Sequence, residues 1–374
     1  MRYIPSSWLV ALVTAATWLA VPQAQAPARA TKASALRAIP AETTAAKVKD
    51  PSWTVPRTAW GHPDIEGTWS SDDMRGIPTG RPPAQASRES LTPEEFTRRA
   101  GGDEASRDRA VNQETILRNE FGVRTFGYTS FVVDPLDGRM PALTPLGLAR
   151  RQANQGVGTF GNRPFNGFED FSLYDRCITR GVGGIFPVLY GNGLLIAQTP
   201  TEVVISYEMV HDTRVIPLDG RPRAGAAITQ YMGDARGRWE GDTLVVETHN
   251  FTDKTGFGGV PHSDGLKLTE WFTRIDPQMI DYRIRVEDPA TLTTPFTLRF
   301  TITQQPGYQL YEYSCHEGNS AVGNALSGER VYDQAVADAK ANGQAVPPRT
   351  MGMEVYSGGN VEGRQPVREL GFGR

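Results

Sequence analysis

The chain has 374 residues, and its 39 Lys and Arg against 42 Asp and Glu leave a formal charge of −3 at neutral pH. That balance argues against nucleic acid as a partner, since nucleic-acid binding needs a concentrated basic surface. Only 39% of residues are hydrophobic, while 39 Gly and 27 Pro punctuate the chain; this favours short strands and many turns over long helices.

The N-terminus carries Arg2, then the apolar run WLVALVTAATWLAV over residues 8–21, then small residues around Ala24-Gln25-Ala26. Charge, apolar stretch and small residues in that order predict a secretory signal peptide over 1–30. The run is shorter than the roughly 20 apolar residues of a membrane helix. A periplasmic or secreted location follows, with no membrane span after signal cleavage. Residues 31–52, rich in Ala and Lys without apolar periodicity, are expected to form a disordered leader.

Residues 53–192 read as an irregular segment packed on the rest of the fold. It holds a strand over 65–70 and a helix opening at Thr92-Pro93-Glu94-Glu95, with Thr as the cap and Glu three residues on. That helix is expected to fade at Gly101-Gly102. A hairpin follows over 130–133 and 139–143, then a short helix from Thr144-Pro145 through 153. A third helix, capped by Ser172 and carrying Cys177, is expected to end at Gly181.

Residues 193–318 change character. Strand-like runs at 194–199, 202–211, 214–218, 227–231, 236–239, 242–250, 266–275, 279–287, 296–303 and 309–315 are separated by brief turns such as Asp219-Gly220 and Glu240-Gly241. Turns this short join antiparallel neighbours. A long meander leaves exposed edges unless it curls, so the expected fold is mainly β: an antiparallel, up-and-down, lipocalin-like barrel or half-barrel. Residues 319–374 are expected to hold a terminal helix over 329–342 and a Gly-rich tail. In an oxidising compartment the two cysteines, Cys177 and Cys315, are expected to pair.

Alternation then separates inside from outside. Ile280, Tyr282, Ile284 and Val286 share one face, and Phe296, Leu298, Phe300 and Ile302 repeat the pattern. Two ionisable residues fall on such apolar faces. Glu270 aligns with Leu266, Leu268 and Phe272, and His211 aligns with Val203, Ile205, Tyr207 and Met209. A carboxylate among apolar neighbours is costly unless paired. Glu270 and His211 are therefore the candidate acid–base pair, with Arg214 or Arg274 steadying negative charge and Tyr207 and Trp271 among the binding residues. The same pattern arises if each group instead lies at a rim bonded to an Arg.

The densest polar and aromatic cluster is Tyr311 to Asn319. A Cys177–Cys315 bond would bring His316 and Glu317 near Arg176 and Arg180, forming either an anion or carboxylate pocket or a purely structural knot. The five histidines show no metal-ligand spacing, so no metal is expected. Neither a Gly-x-Ser-x-Gly elbow nor a P-loop stands in a strand–turn–helix setting, and the Gly156, Gly158, Gly161 spacing follows no strand, so no organic cofactor is expected.

Asp64-Ile65-Glu66-Gly67-Thr68-Trp69 ends in a Gly-x-Trp that resembles the opening of the first strand in lipocalins and related calycin barrels. That segment, Arg176-Cys177-Ile178-Thr179-Arg180-Gly181, Gly237-Arg238-Trp239-Glu240-Gly241-Asp242-Thr243-Leu244 with Asn250-Phe251-Thr252, and the Tyr311–Asn319 stretch also resemble a group of exported bacterial proteins without an assigned function. The first resemblance implies a barrel and the second implies export. Two functional expectations remain: a small-molecule enzyme (lyase, isomerase or hydrolase) using Glu270 and His211, or a non-catalytic carrier of an apolar or aromatic ligand. An envelope interaction protein is a third.

Overall fold

Inside–outside alternation is realised mainly as one large antiparallel sheet. The computed structural model describes residues 52–85, 88–112, 122–153, 164–188, 190–257, 260–304 and 307–348. The expected signal peptide, nearly all of the leader, the three spaced glycines and most of the tail lie outside these residues. The strands are β1 (Gly67–Ser70), β2 (Val132–Asp134), β3 (Gly193–Gln198), β4 (Glu202–Tyr207), β5 (Thr213–Pro217), β6 (Asp234–Glu240), β7 (Thr243–His249), β8 (Gly256–Phe257), β9 (Val260–Pro261), β10 (Lys267–Asp276), β11 (Met279–Glu287) and β12 (Phe296–Thr303). The helices are α1 (Pro93–Asn112), α2 (Pro145–Ala153) and α3 (Ala321–Ala341).

Ten strands form the main sheet in the order β5-β4-β3-β1-β12-β11-β10-β7-β6, with β2 added beside β12; β8 and β9 make a separate hairpin. All the paired strands run antiparallel. The sheet is not closed into a barrel: no ladder joins the end strands β5 and β6. Side chains meet backbone there instead. A Cβ built on Gly237 of β6 would lie 2.8 Å from Ile216 Cγ2 on β5 and 2.8 Å from Leu218 Cδ2 just beyond it. The sheet therefore curls until its edges touch through the side chains of Ile216 and Leu218.

The described residues fall in one compact unit. β1 is inserted between β3 and β12. Its Trp69 is fully buried and donates its indole N–H to the Ile65 carbonyl at 3.1 Å. The Arg274 guanidinium lies 5.4 Å from the Trp69 ring centre and donates to the carbonyls of Asp64 (2.9 Å) and Pro277 (2.8 Å). Trp69 therefore belongs to the sheet, packed against an arginine from a distant part of the chain.

Four local expectations differ from what is found. α1 runs through Gly101-Gly102, because Arg99 donates to the Phe126 and Tyr128 carbonyls and Arg107 to the Gly122 carbonyl, holding the helix past its weak point. Residues 139–143 form no return strand: the turn bonds to Arg81 instead, through Arg81 N to Gly138 O at 2.7 Å and Arg81 Nη1 to Leu136 O at 2.8 Å. Residues 172–181 form turns, not a helix, with Cys177 at φ 56°. Runs 227–231 and 309–315 are not ladder strands; only Gln230 bridges to Phe251. The capping box at Thr92 and Glu95 is present, with bonds of 2.8 and 3.2 Å.

Candidate functional site

Glu270 sits where alternation put it, inward between Leu268 and Phe272, and is fully buried. Its carboxylate faces an arginine. Arg214 Nη1 donates to Oε1 at 2.9 Å and Nη2 to Oε2 at 2.5 Å, a bidentate pair. The Tyr282 hydroxyl donates to Oε1 at 2.9 Å, and Arg214 also donates to Thr248 at 3.1 Å and the Tyr207 hydroxyl at 3.5 Å. Burial by itself lowers the Arg214 pKa, but Glu270 and then Tyr207 outweigh it, and the net shift is upward. The Tyr282 phenol is pushed up by burial first and by Glu270 second. Both phenols and the guanidinium therefore keep their protons at neutral pH, and Glu270 is committed to its partners.

His211 does not join this cluster. β4 ends at Tyr207, and the chain turns through a short 3-10 segment, Met209–His211, in which Val210 and His211 have φ 68° and 56°. This turn takes His211 off the strand and out to solvent, where its residue is exposed. The expected Glu270–His211 pair is thereby replaced by Glu270–Arg214. The structure brings Tyr207, Arg214 and Glu270 together as a buried clasp. Arg274 instead packs under the sheet on Trp69. Trp271 follows Glu270 on the opposite, outer face and is half-buried, while His316 and Glu317 are exposed.

Cys177 and Cys315 form a disulfide with Cα atoms 5.8 Å apart across a separation of 138 residues. It ties the 172–181 turns to the segment after β12. Asn319 reinforces the junction, donating to the Asp175 carbonyl at 2.7 Å. Beside it lies a cluster of phenols. The Tyr174 hydroxyl is 3.1 Å from that of Tyr313 and 3.4 Å from that of Tyr190, and the Tyr190 and Tyr313 rings stack with centres 6.3 Å apart. The Arg180 guanidinium stands 6.0 Å from the Tyr174 ring centre, and its Cβ packs near Gly184 together with the Tyr207 ring. Arg180 thus lies just beyond the end of β4, next to the buried clasp.

Arg180 differs from the arginines around it. Arg214 meets Glu270, Arg299 meets Asp281 at 2.7 Å, and Arg124 meets Asp73 at 3.2 Å. Among the described residues Arg180 has neither an ion pair nor a hydrogen bond; its neighbours are phenol rings. Burial lowers its pKa and the tyrosines act the other way, while burial holds Tyr174 and Tyr313 above the ordinary phenol range. The result is a cation with fork geometry beside three O–H groups. Arg180 and the Tyr311–Asn319 stretch were legible as neighbours of the disulfide; Tyr174 and Tyr190 were not, because nothing in their local sequence marks them.

Among the described residues, no group of three or more His, Cys, Asp or Glu is arranged to hold a metal ion, and no helix is long and apolar enough to cross a membrane. Comparison with known proteins found no matching family model, no matching curated protein and no matching solved structure.

Proposed function

We propose that this is an exported protein that binds a small carboxylate-bearing molecule beside its disulfide, with Arg180 as the charged anchor. The observation that carries this is a half-buried guanidinium with phenol neighbours and no carboxylate of its own. A buried charge without a counter-charge is costly, and a bound oxyanion supplies the missing partner bidentately. The hydroxyls of Tyr174, Tyr190 and Tyr313 are placed to donate to the same anion, and the disulfide holds two of these tyrosines, since Tyr174 and Tyr313 lie close to Cys177 and Cys315 in the chain. Export is supported by the N-terminal signal pattern and by the disulfide.

An apolar ligand inside the sheet finds less support. Trp69, Phe272, Tyr282, Phe296 and Phe300, all at most 1% exposed, fill the interior around the clasp.

Thermal melts with acetate, benzoate and phosphate as probes test the proposal. Benzoate, which can also stack on the tyrosine rings, is expected to raise the melting temperature most, because a ligand of the folded state alone stabilises it. Arg180→Gln is expected to abolish the rise while leaving the apo melting temperature equal or higher, since Arg180 abandons no partner. Arg176→Gln, whose guanidinium lies 4.9 Å from the Phe168 ring centre, should respond like the wild type. An undiminished response in Arg180→Gln, or no response in the wild type, sinks the proposal.

A further inference from the structure

The β8–β9 hairpin carries a second arrangement with the geometry of nucleophilic catalysis. Thr255 Oγ1 lies 2.6 Å from His262 Nε2, and His262 Nδ1 lies 2.9 Å from the Ser263 carbonyl oxygen. A carbonyl oxygen only accepts, so Nδ1 must carry the proton. In the neutral imidazole Nε2 is then a lone pair, and the Thr255 hydroxyl must be the donor to it. A hydroxyl donating to an imidazole whose far nitrogen is pinned by a third group is the general signature of an activated oxygen nucleophile.

The support behind the imidazole is layered. Ser263 is held by Asp288, through its N–H to Oδ2 and its hydroxyl to Oδ1, both at 2.7 Å. Asp288 and His262 are 2% and 4% exposed. Phe251 meets the imidazole edge-on with ring centres 5.8 Å apart. Burial is the main cause that lowers the His262 pKa, opposed by the Ser263 carbonyl, Asp288 and Asp253 and assisted by Arg150; the ring is therefore neutral at pH 7, with a free lone pair on Nε2. Thr255 is half-buried between the exposed Lys254 and Gly256. A small recess lined by Val260, Leu266, Val286, Asp288, Leu292 and Phe296 lies beside His262.

We infer that Thr255 and His262 form a nucleophile–base pair for hydrolysis of small esters. Thr255 Oγ1 attacks the ester carbonyl and its proton passes to His262 Nε2. The bond between carbonyl carbon and leaving oxygen breaks, and His262 returns that proton to the departing alcohol. A water molecule then attacks the acyl-threonine through the same base, releasing the carboxylic acid and regenerating Thr255. The net reaction is ester plus water to acid plus alcohol. The recess beside the imidazole has room for about one water molecule and does not hold the acyl group. The backbone carbonyl of Ser263 fills the orienting role that a carboxylate often plays, with Asp288 one bond further back.

This site does not use Arg180, so it stands or falls apart from the anion site, although Gly181 lies against Thr255, where a built Cβ would be 3.4 Å from the Thr255 Cβ. The test uses the full chain with p-nitrophenyl acetate, following both nitrophenol release and intact mass. Expected results are turnover above the buffer rate, a transient acetyl adduct mapped to Thr255, and a loss of about 100-fold or more in Thr255→Ala and His262→Gln, the scale of general-base catalysis. Thr255→Ser, which keeps the hydroxyl, should keep both adduct and turnover. Should Thr255→Ala melt lower than the wild type, the Thr255→Ser adduct decides. Wild-type turnover no faster than buffer, an adduct on another residue, or full activity in folded Thr255→Ala each overturns the assignment.

Discussion

Arg214 and Glu270 stand on the first and the seventh strands in the order of the sheet, yet their side chains meet as a fully buried bidentate pair. Only a sheet curled across its own interior lets them touch. The pair, with Tyr207, Tyr282 and Thr248 around it, spans the curl close to the seam where the edge strands β5 and β6 meet without a ladder. The Arg214 Nε atom is buried without an acceptor, so the desolvation of the two charges is incompletely offset.

That geometry separates breaking the pair from replacing it. Glu270→Leu strands a buried guanidinium and is expected to destabilise the fold by about 3–5 kcal/mol. The double change Arg214→Met with Glu270→Leu should recover most of that loss, because no buried charge remains. Urea denaturation of the two variants measures both. A neutral Glu270→Leu would mean that the pair does not hold the curl.

Stability should fall on mild acidification. Burial lowers the folded-state pKa of His262 and of His249, the latter further lowered by Arg223 and Lys267. For a lowered histidine the unfolded chain binds more protons below about pH 6.5, so the folded state loses stability as pH drops through that window and regains it as pH rises. His262→Gln is expected to flatten the slope of unfolding free energy between about pH 7 and 5 relative to the wild type. An unchanged slope would place the acid sensitivity elsewhere.

Closing a separation of 138 residues, the Cys177–Cys315 bond should contribute about 4–5 kcal/mol by chain entropy. Reduction or the double change to Ser is expected to lower the melting temperature. It should also erase the benzoate-dependent rise, since Tyr174 and Tyr313 lose their common tether. Retention of that rise after reduction would detach the anion site from the disulfide.

Gly237 offers a probe of the open seam. Its missing Cβ would lie 2.8 Å from side-chain atoms of Ile216 and Leu218, so Gly237→Val should push β5 and β6 apart and destabilise the fold by about 1–3 kcal/mol, with Gly237→Ala milder. Val at this position without loss of melting temperature would show that the edges are not in working contact.

Much of this was readable from local pattern. β11 and β12 occupy the expected 279–287 and 296–303, because strict alternation marks both faces and Pro or Gly marks each end. The inward register of Glu270 and the Thr92–Glu95 capping box came from the same kind of signal. The partner of Glu270 did not. Alternation reports which face a residue takes but not which strand lies opposite, and the turn at Val210 and His211 uses left-handed backbone at two residues that carry no glycine signature. The phenol cluster around Arg180 was equally hidden, since Tyr174, Tyr190 and Tyr313 approach only once the disulfide closes.

By itself, then, the sequence determined what neighbouring residues decide: mostly antiparallel strands, their buried faces, most of the helix starts, and two cysteines suited to pairing. Tertiary structure alone decided that β1 enters between β3 and β12, that the sheet curls without closing, and that an arginine, not a histidine, meets the buried carboxylate. The physical reason is range. Periodicity and capping are set by contacts a few residues apart, whereas strand order and charge pairing depend on how distant side chains fill one interior.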